Sequence, residues 1–198
     1  MDVSFISAVV ILLLVMDPIG NIPLFTSVLR HVEPARRARV ILRECAIAYA
    51  VLLAFVFFGG TILGVLGLSD SALTIAGGLI LFLIALRMIF RHPEGVFGDG
   101  ASGEPFIVPL ATPAIAGPAA IATVMLLVSR APQRQLEWSM AVTVALLATA
   151  AVLTAAERIS QQAGERAILA FERLMGLILT AIAVEMLLRG IEGFVRQF

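Results

Sequence analysis

The residues best suited to bind a solute stand in two short segments that proline and glycine interrupt. Residues 16–23 read Met-Asp-Pro-Ile-Gly-Asn-Ile-Pro, and residues 111–118 read Ala-Thr-Pro-Ala-Ile-Ala-Gly-Pro. Each segment holds two prolines five residues apart with a glycine between them. A proline inside a helix removes one backbone hydrogen bond and clashes with the preceding turn, so both segments are expected to unwind locally. Unwound backbone exposes N–H and C=O groups that can bind a small polar molecule.

The backbone polarity at these two breaks suits a zwitterion. Pro23 and Pro118 fit the first turn of a new helix, and Asn21 is expected to cap the helix that begins near Pro23. Helix N-termini favour a carboxylate, while carbonyls freed on the preceding half-helices favour an ammonium or a cation. Glycine at positions 20 and 117 is expected to supply positive φ angles. The predicted substrate contacts are Asp17, Pro18, Gly20, Asn21, Thr112, Pro113, Ala116 and Gly117.

Asp17 has two interpretations that the sequence does not separate. A carboxylate inside an apolar run either takes a proton or meets a cation, so Asp17 could bind the substrate ammonium or a coupling ion. Alternatively, it accepts hydrogen bonds from the amides of Gly20 and Asn21 and holds the turn. The matching position in the second segment is Thr112, which is also a good local acceptor.

The composition indicates an all-α integral membrane protein. The chain is 60% hydrophobic and only 14% charged, with a mean hydropathy of +1.03, whereas soluble domains carry about a quarter charged residues. Its formal net charge of zero argues against a nucleic-acid partner. The single cysteine, Cys45, excludes an intrachain disulfide. No nucleophile motif, phosphate-binding loop or metal-ligand spacing is present, so we expect no enzyme, metal or cofactor.

Six apolar stretches are long enough to cross a bilayer, which takes about 20 residues. The first and fourth contain the two interruptions, so these two helices are expected to be discontinuous. Because the N-terminal stretch lacks a basic region and a cleavage site, we interpret it as a retained span. The predicted spans are residues 4–29, 45–67, 71–91, 107–129, 138–157 and 168–190.

The chain divides into two similar halves, residues 1–91 and 106–198, joined by a glycine- and proline-rich linker at 92–105. A shift of 95 residues places Pro18 and Pro23 on Pro113 and Pro118. A shift of 98 residues matches a longer set in the third and sixth spans: Gly78/Gly176, Ile84/Ile182, Ala85/Ala183, Met88/Met186 and Arg91/Arg189. Matching glycine and polar positions in one register indicate an internal repeat.

An odd number of spans per repeat requires the two copies to have opposite orientations in the membrane. The sequence therefore predicts two inverted-topology three-helix repeats related by a pseudo-twofold axis in the membrane plane. Arginine is concentrated in the first loop, at positions 30, 36, 37, 39 and 43, and is absent from the second loop. By the positive-inside rule, loops one, three and five face the cytoplasm and both termini lie on the outer side.

The two interrupted segments resemble the signature of a known family. Residues 17–25 and 109–121 together look like the MarC family, also called the SnatA or neutral amino acid transporter family, among LysE-like six-span proteins. Span number, motif order and length agree over nearly the whole chain. The resemblance implies a bacterial inner-membrane protein, some of whose relatives carry small neutral amino acids such as glycine and alanine.

The sequence and the resemblance together predict a secondary transporter of small neutral amino acids that works by alternating access. The substrate would lie between the broken helices, near the membrane midplane. The expected partners are this amino acid, a possible coupling ion and the lipid bilayer. Coupling to sodium or to protons, the direction of transport, and the oligomeric state are left open. Two alternatives remain: a channel or exporter for another small solute, and a non-transporting membrane scaffold whose breaks only bend helices.

Overall fold

The computed structural model describes residues 3–90 and 110–196, and these residues are helical throughout apart from short turns. The predicted linker at 92–105 lies outside the described residues. Eight α-helices occur in the described part, and they are α1 Phe5–Met16, α2 Ile22–Val28, α3 Pro34–Leu66, α4 Asp70–Ile89, α5 Pro118–Arg130, α6 Gln135–Thr154, α7 Ala156–Ala163 and α8 Glu165–Val195.

Four of these helical segments are long and apolar enough to cross a membrane: Pro34–Val65, Ser71–Ile89, Pro132–Thr154 and Leu169–Val195. Two shorter apolar helices, α1 and α5, flank the predicted interruptions. Large apolar side chains point outward along the helices, including Ile6, Phe58, Val65, Leu83, Leu147, Leu177 and Leu188, each at least half exposed. Exposed apolar side chains on long apolar helices are typical of a lipid-facing surface.

Helix α3 begins well before the predicted second span. The sequence predicts a loop up to residue 44, but the helix starts at Pro34, where proline fits the first turn, and runs for 33 residues. That length corresponds to about 50 Å, compared with about 30 Å of hydrocarbon. Four arginines of the predicted loop, at positions 36, 37, 39 and 43, therefore lie on the first three turns of α3, whereas Arg30 lies in the turn Leu29–His31. One of them, Arg43, donates to the buried carboxylate of Glu44 from Nε at 3.0 Å and from a terminal nitrogen at 2.8 Å.

Helices α4 and α8 form the most extensive helix–helix interface of the described residues. A Cβ atom placed on Gly78 would lie 3.0 Å from the carbonyl oxygen of Ala183 and 3.1 Å from Cβ of Met186. A Cβ atom placed on Gly176 would lie 3.1 Å from the carbonyl oxygen of Ala85 and 3.1 Å from Cβ of Met88. The two contacts are equivalent under the shift of 98 residues, and they require the helices to run antiparallel. Small residues such as glycine allow helix backbones to approach closely.

Val3, which precedes α1, is hydrogen-bonded to the turn between α5 and α6. The Arg134 guanidinium donates to the Val3 carbonyl at 2.9 Å, pairs with Glu137, and lies 4.4 Å from the ring centroid of Trp138. Trp138 is 1% exposed, and its indole N–H donates to the Ala131 carbonyl at 3.1 Å. This cluster fixes the start of α1 relative to the second half of the chain.

Candidate functional site

The first break separates α1 from α2 and begins at Asp17. This residue ends α1 in the left-handed conformation (φ 39°, ψ 64°), which aspartate tolerates better than most residues. Its side chain is buried, and Oδ1 accepts a hydrogen bond of 3.0 Å from the Gly20 amide. The Asn21 amide donates to the main-chain carbonyl of Asp17. Asp17 therefore holds the turn through its side chain at the Gly20 amide and through its main chain at the Asn21 amide.

Gly20 is needed for a different reason from the one the sequence suggested. The glycines with positive φ in the described residues are Gly67 and Gly164, so the expectation of positive φ at positions 20 and 117 is wrong. A Cβ atom on Gly20 would instead overlap Asp17 Oδ2 and lie 2.6 Å from both Asp17 Cγ and Met88 Cε. A larger residue at position 20 therefore requires two side chains, one of them from α4, to shift.

The second break departs from helical geometry at the residue that matches Asp17. Thr112 is extended (φ −134°, ψ 128°) within the wide turn Leu110–Ile115, and the Ala116 amide donates to the Ala111 carbonyl at 2.8 Å. Gly117 is buried and extended (φ −77°, ψ 167°) at the N-cap of α5, with Pro118 in the first turn as expected. Because glycine has no side chain to cap the helix, the first amides of α5 must find acceptors elsewhere.

The side chain of Asn21 joins the two breaks. Its Nδ2 donates to the Met16 carbonyl at 2.9 Å and to the Ala114 carbonyl, 93 residues away, at 3.4 Å. The main-chain carbonyl of Asn21 accepts the first bond of α2, from Phe25, so the residue occupies the capping position. The side chain acts as a donor between the segments, which differs from the acceptor role predicted for it.

The predicted site residues form a partly buried layer around these two turns. Asp17, Ala116 and Gly117 are buried, whereas Pro18, Gly20, Asn21 and Thr112 are half-buried. The remaining candidate, Pro113, lies within Leu110–Ile115. Two residues that contact the breaks, Met88 and Ala114, were not among the candidates. The sequence did single out Met88, because this residue matches Met186 in the repeat of the third and sixth spans.

The described residues present both hydrogen-bond polarities within this layer. The donors are the Asn21 amide group and the first-turn amides of α5, and the acceptors are the Asp17 carboxylate and the Met16 and Ala114 carbonyls. Such a set can bind a small molecule with one positive and one negative end. Within residues 3–90 and 110–196, no group of three or more His, Cys, Asp or Glu side chains could hold a metal ion.

A cleft of about 610 Å³ lies beside α2. Pro23, Thr26 and Arg30 line it from α2 and the turn that follows, and Arg37 lines it from α3. The opposite wall comes from the second half, where its lining includes Leu153, Thr154, Ala156, Glu157, Ser160 and Leu169. Arg37 and Glu157 form an ion pair of 2.9 Å between the two halves.

Comparisons with known proteins place the chain in a family. The model of the MarC family of integral membrane proteins matches residues 3–195. The UPF0056 inner membrane protein YhgN of Escherichia coli is 45% identical over 98% of both chains. A UPF0056 membrane protein of Buchnera aphidicola is 41% identical over 96% of this chain and 98% of its own, and one of Methanocaldococcus jannaschii is 34% identical over 90% and 91%. No solved structure matches. Since the family model spans nearly the whole chain, this protein belongs to the MarC family of integral membrane proteins.

Proposed function

We propose that this chain is a secondary transporter of small neutral amino acids, such as glycine and alanine. It crosses the membrane six times as two inverted three-helix repeats and binds its substrate between the broken first and fourth spans. Alternating movement of the two halves then exposes the substrate first to one side and then to the other. Coupling to a sodium or a proton gradient supplies the driving force.

The contacts of the repeated residues support the inverted topology. The seam between α4 and α8 pairs Gly78 with Met186 and Gly176 with Met88, which are equivalent contacts under one sequence shift. Their antiparallel arrangement is the one that inversion requires. The two breaks also support a repeat, because helical geometry is lost at Asp17 in one half and at its counterpart Thr112 in the other.

The proposed binding site rests mainly on the meeting of the two breaks through Asn21. Its bond to the Met16 carbonyl is of ordinary length, whereas the bond to Ala114 is long at 3.4 Å and correspondingly weak. A substrate can therefore replace the link between the halves at little cost. Its carboxylate would face the first amides of α5, and its ammonium would face the carbonyls at positions 16 and 114 or the Asp17 carboxylate.

The family membership and the arginine distribution support the proposed location. The Escherichia coli relative is named as an inner membrane protein, and we assign this chain to a bacterial inner membrane. Arg36, Arg37 and Arg39 lie at the start of α3, so this end of the helix faces the cytoplasm and both termini lie outside.

Uptake of radiolabelled glycine into proteoliposomes tests the proposal. We expect saturable uptake that requires an imposed sodium or proton gradient and shows counterflow with unlabelled glycine. A pore would neither saturate nor show counterflow, and a scaffold would leave uptake at the level of empty vesicles. Either result would contradict the proposed carrier mechanism.

The variant Asn21→Ala tests where the substrate binds. It removes the side chain whose bond to the Met16 carbonyl keeps the first break in shape while the substrate displaces the weaker bond to Ala114, so glycine affinity should fall while the chain remains folded. Gln133→Ala is the matched control, because it removes an exposed amide from the turn between α5 and α6, away from both breaks. Equal glycine affinity in the two variants would place the binding site elsewhere.

A further inference from the structure

The two half-helices that follow the breaks are packed differently. The shift of 95 residues makes the start of α2 equivalent to the start of α5. Helix α5 packs on α4, α3 and α1, and its residues Ala119, Ala122 and Val124 are at most 5% exposed. Helix α2 has its main contacts with α7 and with the turn Leu29–His31 that follows it.

The cleft lies where the packing of α2 differs from that of α5. Since α4 and α8 are equivalent helices, the partner of α2 that corresponds to α4 would be α8. Between α2 and α8 lies the cleft, with Thr26 on one wall and Leu169 on the other. On the opposite side, Pro118 and Ala122 of α5 pack against Gly77 of α4 so closely that a Cβ atom on this glycine would lie 2.8 Å from the Ala122 Cβ.

A sequence difference accompanies the different packing of α2 and α5. Under the shift of 98 residues, the counterpart of Gly77 is the buried Met175. Glycine at position 77 allows the backbone of α5 to approach α4, whereas the equivalent position on α8 carries a large side chain.

The lining of the cleft combines apolar side chains with polar and charged groups. Thr26, Arg30, Arg37, Glu157 and Ser160 contribute hydroxyl and charged groups to its walls. Charged groups need water or partners, so this lining distinguishes the cleft from the apolar surfaces that face lipid. At the other end of α2 the cleft is lined by Pro23, two residues after Asn21 at the first break.

We propose that this cleft is the entrance through which the solute reaches the breaks, and that the structure is the state open on the arginine-rich side. The cleft lies beside α2, whereas among the described residues the equivalent half-helix α5 is packed on Gly77 of α4. The solute expected to pass is a small polar molecule, since hydroxyl and charged groups stand among the apolar side chains of the lining. This inference rests on the proposed transport function, which it extends with an access route and a conformational state.

Thiol labelling of the full-length chain in vesicles tests the open state. The native chain has one cysteine, and Cys45→Ala removes it from a buried position. In that background Thr26→Cys reports on the cleft and Thr123→Cys is the matched control, because both threonine hydroxyls bond to carbonyls of their own half-helix. Arg39→Cys, at an exposed site on α3, identifies the arginine-rich side. The probe is a membrane-impermeant sulfonatoethyl methanethiosulfonate.

We expect Thr26→Cys to react from the same side as Arg39→Cys and at least about tenfold faster than Thr123→Cys, since an opening cost of about 1.4 kcal/mol at the buried site already gives that factor. Equal rates at the two threonine positions, or reaction of Thr26→Cys only from the opposite side, would overturn the assigned state. Ser160→Cys, on the other wall, provides a second reporter if the first variant does not fold.

Transport measurements on the labelled proteins test whether the cleft is the entrance. Attachment of the probe at Thr26→Cys should abolish glycine uptake, while attachment at Arg39→Cys should leave it unchanged. Normal uptake by the labelled Thr26→Cys protein would overturn the entrance. A parent chain that carries no glycine contradicts the proposed function instead, and the labelling rates still decide whether the cleft is open.

Discussion

Replacing Gly20 by alanine should destabilise the first break through a collision that the structure identifies. The new methyl group would overlap the Asp17 carboxylate, which accepts the amide hydrogen of the same glycine, and would lie 2.6 Å from Met88 Cε. The carboxylate cannot move aside without lengthening its hydrogen bond. The methionine methyl ends a flexible side chain and can shift at a lower cost, although Met88 is only 4% exposed.

The expected loss can be estimated from these two contacts. A hydrogen bond to a charged acceptor is worth about 1.5–3 kcal/mol, and overpacking costs about 1–3 kcal/mol. Reduced entropy of the unfolded chain offsets about 0.4–1 kcal/mol. A net loss of about 3 kcal/mol lowers the melting temperature by about 6–12 °C for a chain of this size.

The change in melting temperature is measured on the purified protein in detergent, with size-exclusion chromatography as the readout of the folded fraction after heating. Gly60→Ala is the matched control, because it changes a glycine of α3 that has no atom within 4 Å of the added methyl group. The control should be neutral or slightly stabilising, since alanine favours the helix.

A double-mutant cycle assigns the cause. In an Asp17→Ala background the carboxylate is gone, so Gly20→Ala should cost about 1–2 kcal/mol less than it does in the parent. The same cost in both backgrounds would refute the collision with Asp17 and leave Met88 as the origin. A Gly20→Ala chain as stable as the parent would refute both contacts.

Three further changes should have separable effects. Asp17→Asn keeps the acceptor for the Gly20 amide and tolerates the left-handed conformation, so the melting temperature should stay within about 2–4 °C; unchanged glycine affinity and gradient dependence in transport assays would leave Asp17 a turn residue. Gly78→Ala should lower the melting temperature by more than Gly60→Ala, because its methyl group meets a backbone carbonyl of α8 at 3.0 Å, and equal values would argue against a tight seam. Trp138→Phe keeps an aromatic but smaller side chain at this buried site and loses the indole bond to the Ala131 carbonyl, so the free energy of unfolding should fall by at least about 0.5–1.5 kcal/mol.

Local chemistry explains which parts of this fold could be predicted. Proline and glycine act on their own neighbourhood, so the two breaks and the start of α5 at Pro118 were visible in the sequence. The repeated glycines at 78 and 176 were visible as a register, and the structure places both in the seam between α4 and α8. The early start of α3 was missed, because its first turns are charged and an apolar run does not mark them.

The missed features of the site depend on residues distant in sequence. Asn21 was predicted to act as a local cap, but its side chain reaches a carbonyl 93 residues away. The requirement for glycine at position 20 was attributed to backbone conformation, yet it arises from Asp17 and from Met88 on another helix. Neither relation follows from local spacing, because each depends on how α1, α4 and the second break pack together.

The reciprocal contacts of Gly78 and Gly176 have a consequence for how the two halves evolve. Each contact joins a glycine of one half to a methionine and a carbonyl of the other, and the same pairing recurs with the halves exchanged. On the proposed inverted topology, a three-helix ancestor with one such surface would have met a second, oppositely inserted copy of itself through it, since a twofold interface uses the same patch on both partners. Joining two copies in one chain removes the need for identical surfaces, and each half is then free to diverge. Methionine at 175, where the first half has Gly77, is a difference that such a divergence would produce.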